Sequence, residues 1–270
     1  MRNLLTCLFC IVARTIFGQI TESLPAAGSI ANTSTADAHL WSAFHNPAAI
    51  ASTTSLSGEL FYHSRFQINE LASKGGQVLL PTQYVNIGAA FSYTGYSLYH
   101  EVLAGIGFAR NFSDKFLLGV QFNYYTAYFT ETNRYRGMLL AQIGLLVHLS
   151  PKIDIGFNTF NPFQSRLKTE YTEKRIASVY SMGAAYYFAP ELASRIQVDR
   201  ELNGSYWLSA GFEYTILERI TVKLGGYGSG YFVPAIGVGI KYGKFTAGVN
   251  GEMHPLLGLN FSGRLGYSFK

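Results

Sequence analysis

Charge is scarce in this chain. Of 270 residues only 14% are Asp, Glu, Lys or Arg, against about 25% in an ordinary soluble domain. Either part of the surface is not in water, or its polarity comes from uncharged groups. Cysteine is scarcer still: Cys7 and Cys10 are the only two, both in the first ten residues. The rest of the chain therefore has no disulfide and no thiolate metal site. Long apolar runs are missing as well. Beyond the N-terminus no stretch of about 18 apolar residues occurs, which excludes ordinary transmembrane helices. The formal charge of +5 is spread without a basic cluster, so no nucleic-acid footprint is expected.

What is abundant is glycine (28), tyrosine (19) and phenylalanine (20). Little charge, many aromatics and no spanning helix together point to an outer-membrane-type β-barrel. The first nineteen residues, MRNLLTCLFCIVARTIFGQ, agree with export. An Arg near the start, an apolar core from Leu4 to Val12 and a small residue before Gln19 form a secretory leader, cut near Gly18 or Gln19. Its removal takes away Arg2 and Arg14 and lowers the charge from +5 to +3.

From Leu56 onward the residues alternate with period two, as pleated strands demand. In VNIGAAFSY, Val85, Ile87, Ala89, Phe91 and Tyr93 share one face, opposed to Asn86, Gly88, Ala90 and Ser92. FLLGVQFNY, LLAQIGLLVHL and YWLSAGFEYTI repeat the pattern. The second face is Gly, Ser, Asn and Gln, where a surface in bulk water would carry Lys and Glu. A crowded polar lumen accounts for that choice. The aromatics Phe61, Tyr93, Phe108, Tyr124, Tyr186, Phe212, Tyr214, Tyr242 and Tyr267 are read as lipid contacts or interface girdles.

Short turns at 81–83, 112–114, 150–152, 189–191, 217–219 and 243–244 alternate with other, mostly longer connections at 67–75, 94–100, 130–135, 160–176, 201–205, 229–232 and 253–257. Tight periplasmic turns and looser outer loops have this asymmetry. Seven outer loops and six inner turns make fourteen strands, an even number that lets the first and last strands close the wall. The second strand is expected at about 76–81 and the ninth at about 192–200. The last segment, GRLGYSFK, puts Leu265, Tyr267 and Phe269 on one face.

Several charges fall on the polar face. With 217–219 as a turn, Glu213 opposes Lys223, and Arg195 lies diagonal to Glu213. This spacing predicts a belt of Arg195, Glu213 and Lys223 on the inner wall, nearer the periplasm. Glu59 and Arg264 meet across the closing seam. Such a belt either satisfies buried groups and holds register or selects a solute. No catalytic residue is expected. GGYGSG (225–230) lacks the Lys-Ser/Thr of a phosphate loop. His63, His100 and His148 have no metal-ligand spacing, and no Ser, His and carboxylate converge. No cofactor or metal is expected.

The segment ADAHLWSAFHNPAAIA followed by fourteen strands resembles the FadL superfamily, particularly its PorV/PorQ-type members of Bacteroidota. The residues that carry the resemblance are Asp37, Ala38, Asn46, Pro47 and Ala48, with Asn161-Pro162-Phe163 and His254-Pro255 later in the chain. The resemblance implies an N-terminal hatch inside the periplasmic half of the barrel. Local chemistry agrees with it: Thr33, Ser34 and Thr35 can cap a short helix over Ala36–Phe44, and Asn46 can cap a turn with Pro47 at its first position. An ordinary surface helix ahead of the first strand is the alternative. Trp41 and Phe44, with inward Trp207, could line a small apolar pocket or pack the hatch.

The expected architecture is thus all-β: a monomeric, fourteen-stranded antiparallel transmembrane barrel with a short helical N-terminal plug, in the bacterial outer membrane. Residues 1–19 form the leader, 20–55 the hatch and 56–270 the barrel. Two functions follow from the resemblance. One is passage of small or hydrophobic compounds, with the hatch as gate. The other is a non-catalytic accessory of a type IX-like secretion system, with loops docking secretion proteins.

Overall fold

The computed structural model describes residues 30–38, 44–130, 134–168, 173–202 and 204–269. The leader expected over 1–19 lies outside the described residues, as does Trp41. The first seven wall strands are β1 (Ser57–Arg65), β2 (Ile68–Leu80), β3 (Asn86–Gly95), β4 (Tyr99–Phe112), β5 (Phe116–Phe129), β6 (Arg134–Ser150) and β7 (Ile153–Phe160). A hairpin of β8 (Arg166–Lys168) and β9 (Glu173–Arg175) follows and stays apart from the wall. The remaining strands are β10 (Val179–Ala189), β11 (Leu192–Glu201), β12 (Tyr206–Ile216), β13 (Ile220–Gly228), β14 (Phe232–Tyr242), β15 (Phe245–His254) and β16 (Gly258–Ser268).

Fourteen strands, all but β8 and β9, form one closed antiparallel barrel among the described residues. β1 pairs with β16 from Ser57↔Ser268 to Ser64↔Phe261, so no edge is left to template aggregation. The start of β1 and the end of β16 share one end of the barrel, opposite the long connection from β7 to β10. That is the periplasmic side in barrels of this kind.

The two faces differ in chemistry. Leu60, Ile106, Leu139, Leu208, Ile236 and Leu265 point outward and are each more than half exposed. Apolar side chains ringing a closed wall would be unstable in water, so their solvent is lipid. Aromatics flank this band. At the outer end Tyr93, His100, Tyr128 and Tyr135 stack with ring centroids 4.8–5.1 Å apart in sequence. At the periplasmic end Phe245, Tyr267 and Phe269 meet edge to face, with ring centroids 4.7 and 4.6 Å apart. Inward positions carry buried amides instead. Gln121 Nε2 donates to Asn123 Oδ1 at 2.7 Å, and Gln142 Nε2 to Asn158 Oδ1 at 3.1 Å. Buried amides must find such partners.

Three expectations need correction. β2 begins at Ile68, so the long connection expected at 67–75 is the two-residue turn Phe66–Gln67, both with positive φ (53° and 58°). Asn69, Glu70, Ser73 and Lys74 read as loop because they are polar on both faces. They belong to the outer part of the strand, where Lys74 sits over the Tyr93 ring at 5.2 Å. The connection 160–176 contains the β8–β9 hairpin, too short to show a period. Phe61 points inward, against Phe44. The helix expected over Ala36–Phe44 falls mostly on residues 39–43, outside the described residues, and Thr35–Ala36 form a turn.

Candidate functional site

Residues 30–38 and 44–53 lie against the inner wall, 44–53 toward its periplasmic end and 30–38 nearer mid-height. Their backbone is irregular, so each polar group needs a wall partner. Asn46 does most of this. Its Oδ1 accepts from Ala48 N at 3.1 Å and caps the 3-10 helix Pro47–Ser52, with Pro47 in the first turn. Its Nδ2 donates to Thr35 O at 2.7 Å and to Leu145 O of β6 at 3.3 Å. One side chain thus joins two parts of the N-terminal segment to the wall.

Other wall amides complete the seat. Thr35 N donates to Gln197 Oε1 at 2.8 Å, and Gln142 Nε2 donates to Phe44 O at 3.0 Å. Asn86 Nδ2 donates to Ile50 O at 3.0 Å and to Thr53 O at 2.8 Å. Apolar contacts alternate with these: Ala48 with Leu117 and Leu146, Ile50 with Leu79 and Ala109, Ile30 with Ala235. The wall is thinned to admit the segment. A Cβ added at Gly119, Gly144 or Gly156 would run into Pro47, Asn46 or Thr35 respectively. Close backbone approach is the role glycine plays there. Replacing Asn46 by Ala is expected to cost about 1–3 kcal/mol. The check is amide hydrogen exchange over residues 44–53, which should speed up while wall strands stay protected.

The charged groups gather beside this seat. Asp37 Oδ1 lies 3.6 Å from Arg195 Nη2, Arg195 Nη1 lies 2.5 Å from Glu213 Oε2, and Lys223 Nζ lies 3.1 Å from Glu213 Oε1. The register sets Glu213 opposite Lys223 and Arg195 opposite Gly211. On the seam, Glu59 accepts from Gln77 Nε2 at 2.7 Å. Arg264 is within electrostatic reach of Glu59, Glu213 and Asp37. Three cations and three carboxylates therefore share one stretch of lumen, and each buried charge has opposite charge nearby. Asp37 is the member contributed by the N-terminal segment.

The aromatic candidates separate. Phe44 packs edge-on against Phe61 (5.9 Å, 82°). Trp207 faces the lumen near its outer end, beside Tyr227 and Tyr231 at 6.1 and 5.8 Å. The two rings thus belong to different aromatic groups. The histidines separate too: His63 faces the lumen, His100 lies between Tyr93 and Tyr128, and His148 Nδ1 is 2.6 Å from Asp154 Oδ1. A groove of about 760 Å³ between Leu60, Phe91, Ile240 and Phe245 lies on the lipid-facing wall, not in the lumen. Sequence reasoning missed Asn86, Gln142 and Gln197. Their only signal was a large amide on the small-residue face.

Solved structures of the same architecture exist. The toluene transporter TodX of Pseudomonas putida matches with a TM-score of 0.65 at 9% identity, over 92% of this chain and 98% of that one. The monoaromatic hydrocarbon channel CymD matches with 0.63 at 9% identity, over 93% and 97%. A FadL homologue of Pseudomonas aeruginosa matches with 0.62 at 10% identity, over 85% and 94%. The likeness is one of fold. No protein-family model matches the sequence, and no curated protein sequence does either. The chain is an outer-membrane-type barrel that shares its architecture with these channels.

Proposed function

We propose that this barrel is a FadL-type passage for small hydrophobic compounds across the bacterial outer membrane, closed at its periplasmic end by residues 20–55. The observation that carries the proposal is the N-terminal segment seated in the lumen, where glycines in the wall make room for it and Asp37 joins the charged cluster. Similarity of fold to two monoaromatic hydrocarbon channels supports the choice of cargo. The cluster beside the segment pairs three cations with three carboxylates and so carries no net charge, which suits a cargo that carries none.

The outer connections bear on the alternative, a PorV/PorQ-like secretion accessory. Several are very short: residues 66–67, 96–98, 229–231 and 255–257. They leave little surface for docking a secreted protein, which favours passage. Uptake of toluene by intact cells should rise when the protein is present in their outer membrane, while uptake of a small sugar stays unchanged. Equal toluene uptake with and without the protein would sink the proposal.

A further inference from the structure

The connection from β7 to β10 does not stand clear of the barrel. Asn161, fully buried, ties down both of its ends. Its Nδ2 donates to Ile176 O at 2.9 Å, its Oδ1 accepts from Ser165 N at 2.9 Å, and its own carbonyl accepts from Ser178 Oγ at 2.7 Å. It adopts φ +53°, a conformation Asn tolerates better than most residues. With the base held this way, the β8–β9 hairpin turns inward over the outer mouth. Leu167 and Ile176 are buried against Leu103, Tyr125, Leu140 and Phe160, which are inward residues of four wall strands.

A charge is drawn in with them. Lys174 of β9 forms an ion pair with Glu101 of β4, whose side chain is 4% exposed. Tyr99 Oη accepts from Lys174 Nζ at 2.7 Å and donates to the same carboxylate. The ammonium also sits 5.6 Å from the centroid of the Tyr125 ring. Apolar burial of Leu167 and Ile176 alone would seat the hairpin without a lysine. The ion pair adds a contact whose loss leaves a buried carboxylate without its cation.

We infer that the β8–β9 hairpin is an outer gate, latched by Lys174 on Glu101, at the end of the lumen opposite the N-terminal segment. Lifting it separates the pair and opens the apolar patch of Leu103 and Leu140 to solvent. The inference holds whatever solute the barrel passes, because it concerns access to the mouth alone.

Thiol labelling tests it without any substrate. In the full chain with Cys7→Ser and Cys10→Ser, a Leu103→Cys substitution places a thiol beneath the hairpin. A membrane-impermeant maleimide applied from outside should label it slowly. Lys174→Glu should speed labelling about tenfold, the scale of one lost hydrogen-bonded charge contact. Adding Glu101→Lys to that variant should slow it again. Lys174→Met, which lies off the barrel sheet and leaves wall pairing intact, should also speed labelling and decides the matter if the charge swap does not fold. Unchanged labelling in both Lys174 variants would overturn the gate. So would a folded charge swap that labels as fast as Lys174→Glu.

Discussion

Replacing Arg195 by Met is expected to cost the folded protein about 3–5 kcal/mol, the range for removing one partner from a buried ion pair. The guanidinium is 2% exposed and stands between two carboxylates, Glu213 on β12 and Asp37 on the N-terminal segment. Its loss leaves Glu213 with Lys223 and weakens the hold of the wall on Asp37. The defect should therefore appear in two places: a lower denaturant midpoint for the whole barrel, and faster hydrogen exchange over residues 30–38. Adding Asp37→Asn restores the balance of charge while leaving the Glu213–Lys223 pair in place, and should recover much of the stability, since coupled sites do not add. An Arg195→Met variant as stable as the parent would show that the cluster contributes nothing to the fold.

How much of this was legible in the sequence varies by element. The wall strands with one lipid face and one lumen face announce themselves by period two, and β3, β5, β6 and β12 are of that kind. The pairing of Glu213 with Lys223 follows from the position of one tight turn, because register then fixes every opposite residue. The outer half of β2 was hidden because both of its faces leave the lipid band there, so the contrast between faces vanishes. Phe61 was misplaced because an inward aromatic alternates just as an outward one does. Only its contact with Phe44 distinguishes it. The cap at Asn46 was readable from Asn-Pro. Its second and third partners, Thr35 and Leu145, lie about a dozen and a hundred residues away, and nothing local points to them. The pairing of Lys174 with Glu101 stayed invisible because β8 and β9 are three residues each, too short to orient Lys174 from pattern alone.

We propose that the N-terminal segment closes the periplasmic end of a lumen built to hold it. The glycines at 119, 144 and 156 have no packing role once Pro47, Asn46 and Thr35 are gone, and the exposed wall amides Asn86, Gln142 and Gln197 would hold water. Deleting residues 20–52 should therefore turn a closed barrel into a water-filled one, as in porins with an open lumen. Single-channel recording in planar bilayers is the direct measurement. The parent should stay at baseline. The deletion should show openings interrupted by the β8–β9 hairpin, and the deletion combined with Lys174→Met should show long, stable openings. A folded deletion protein that conducts no more than the parent, with or without Lys174→Met, would contradict the account.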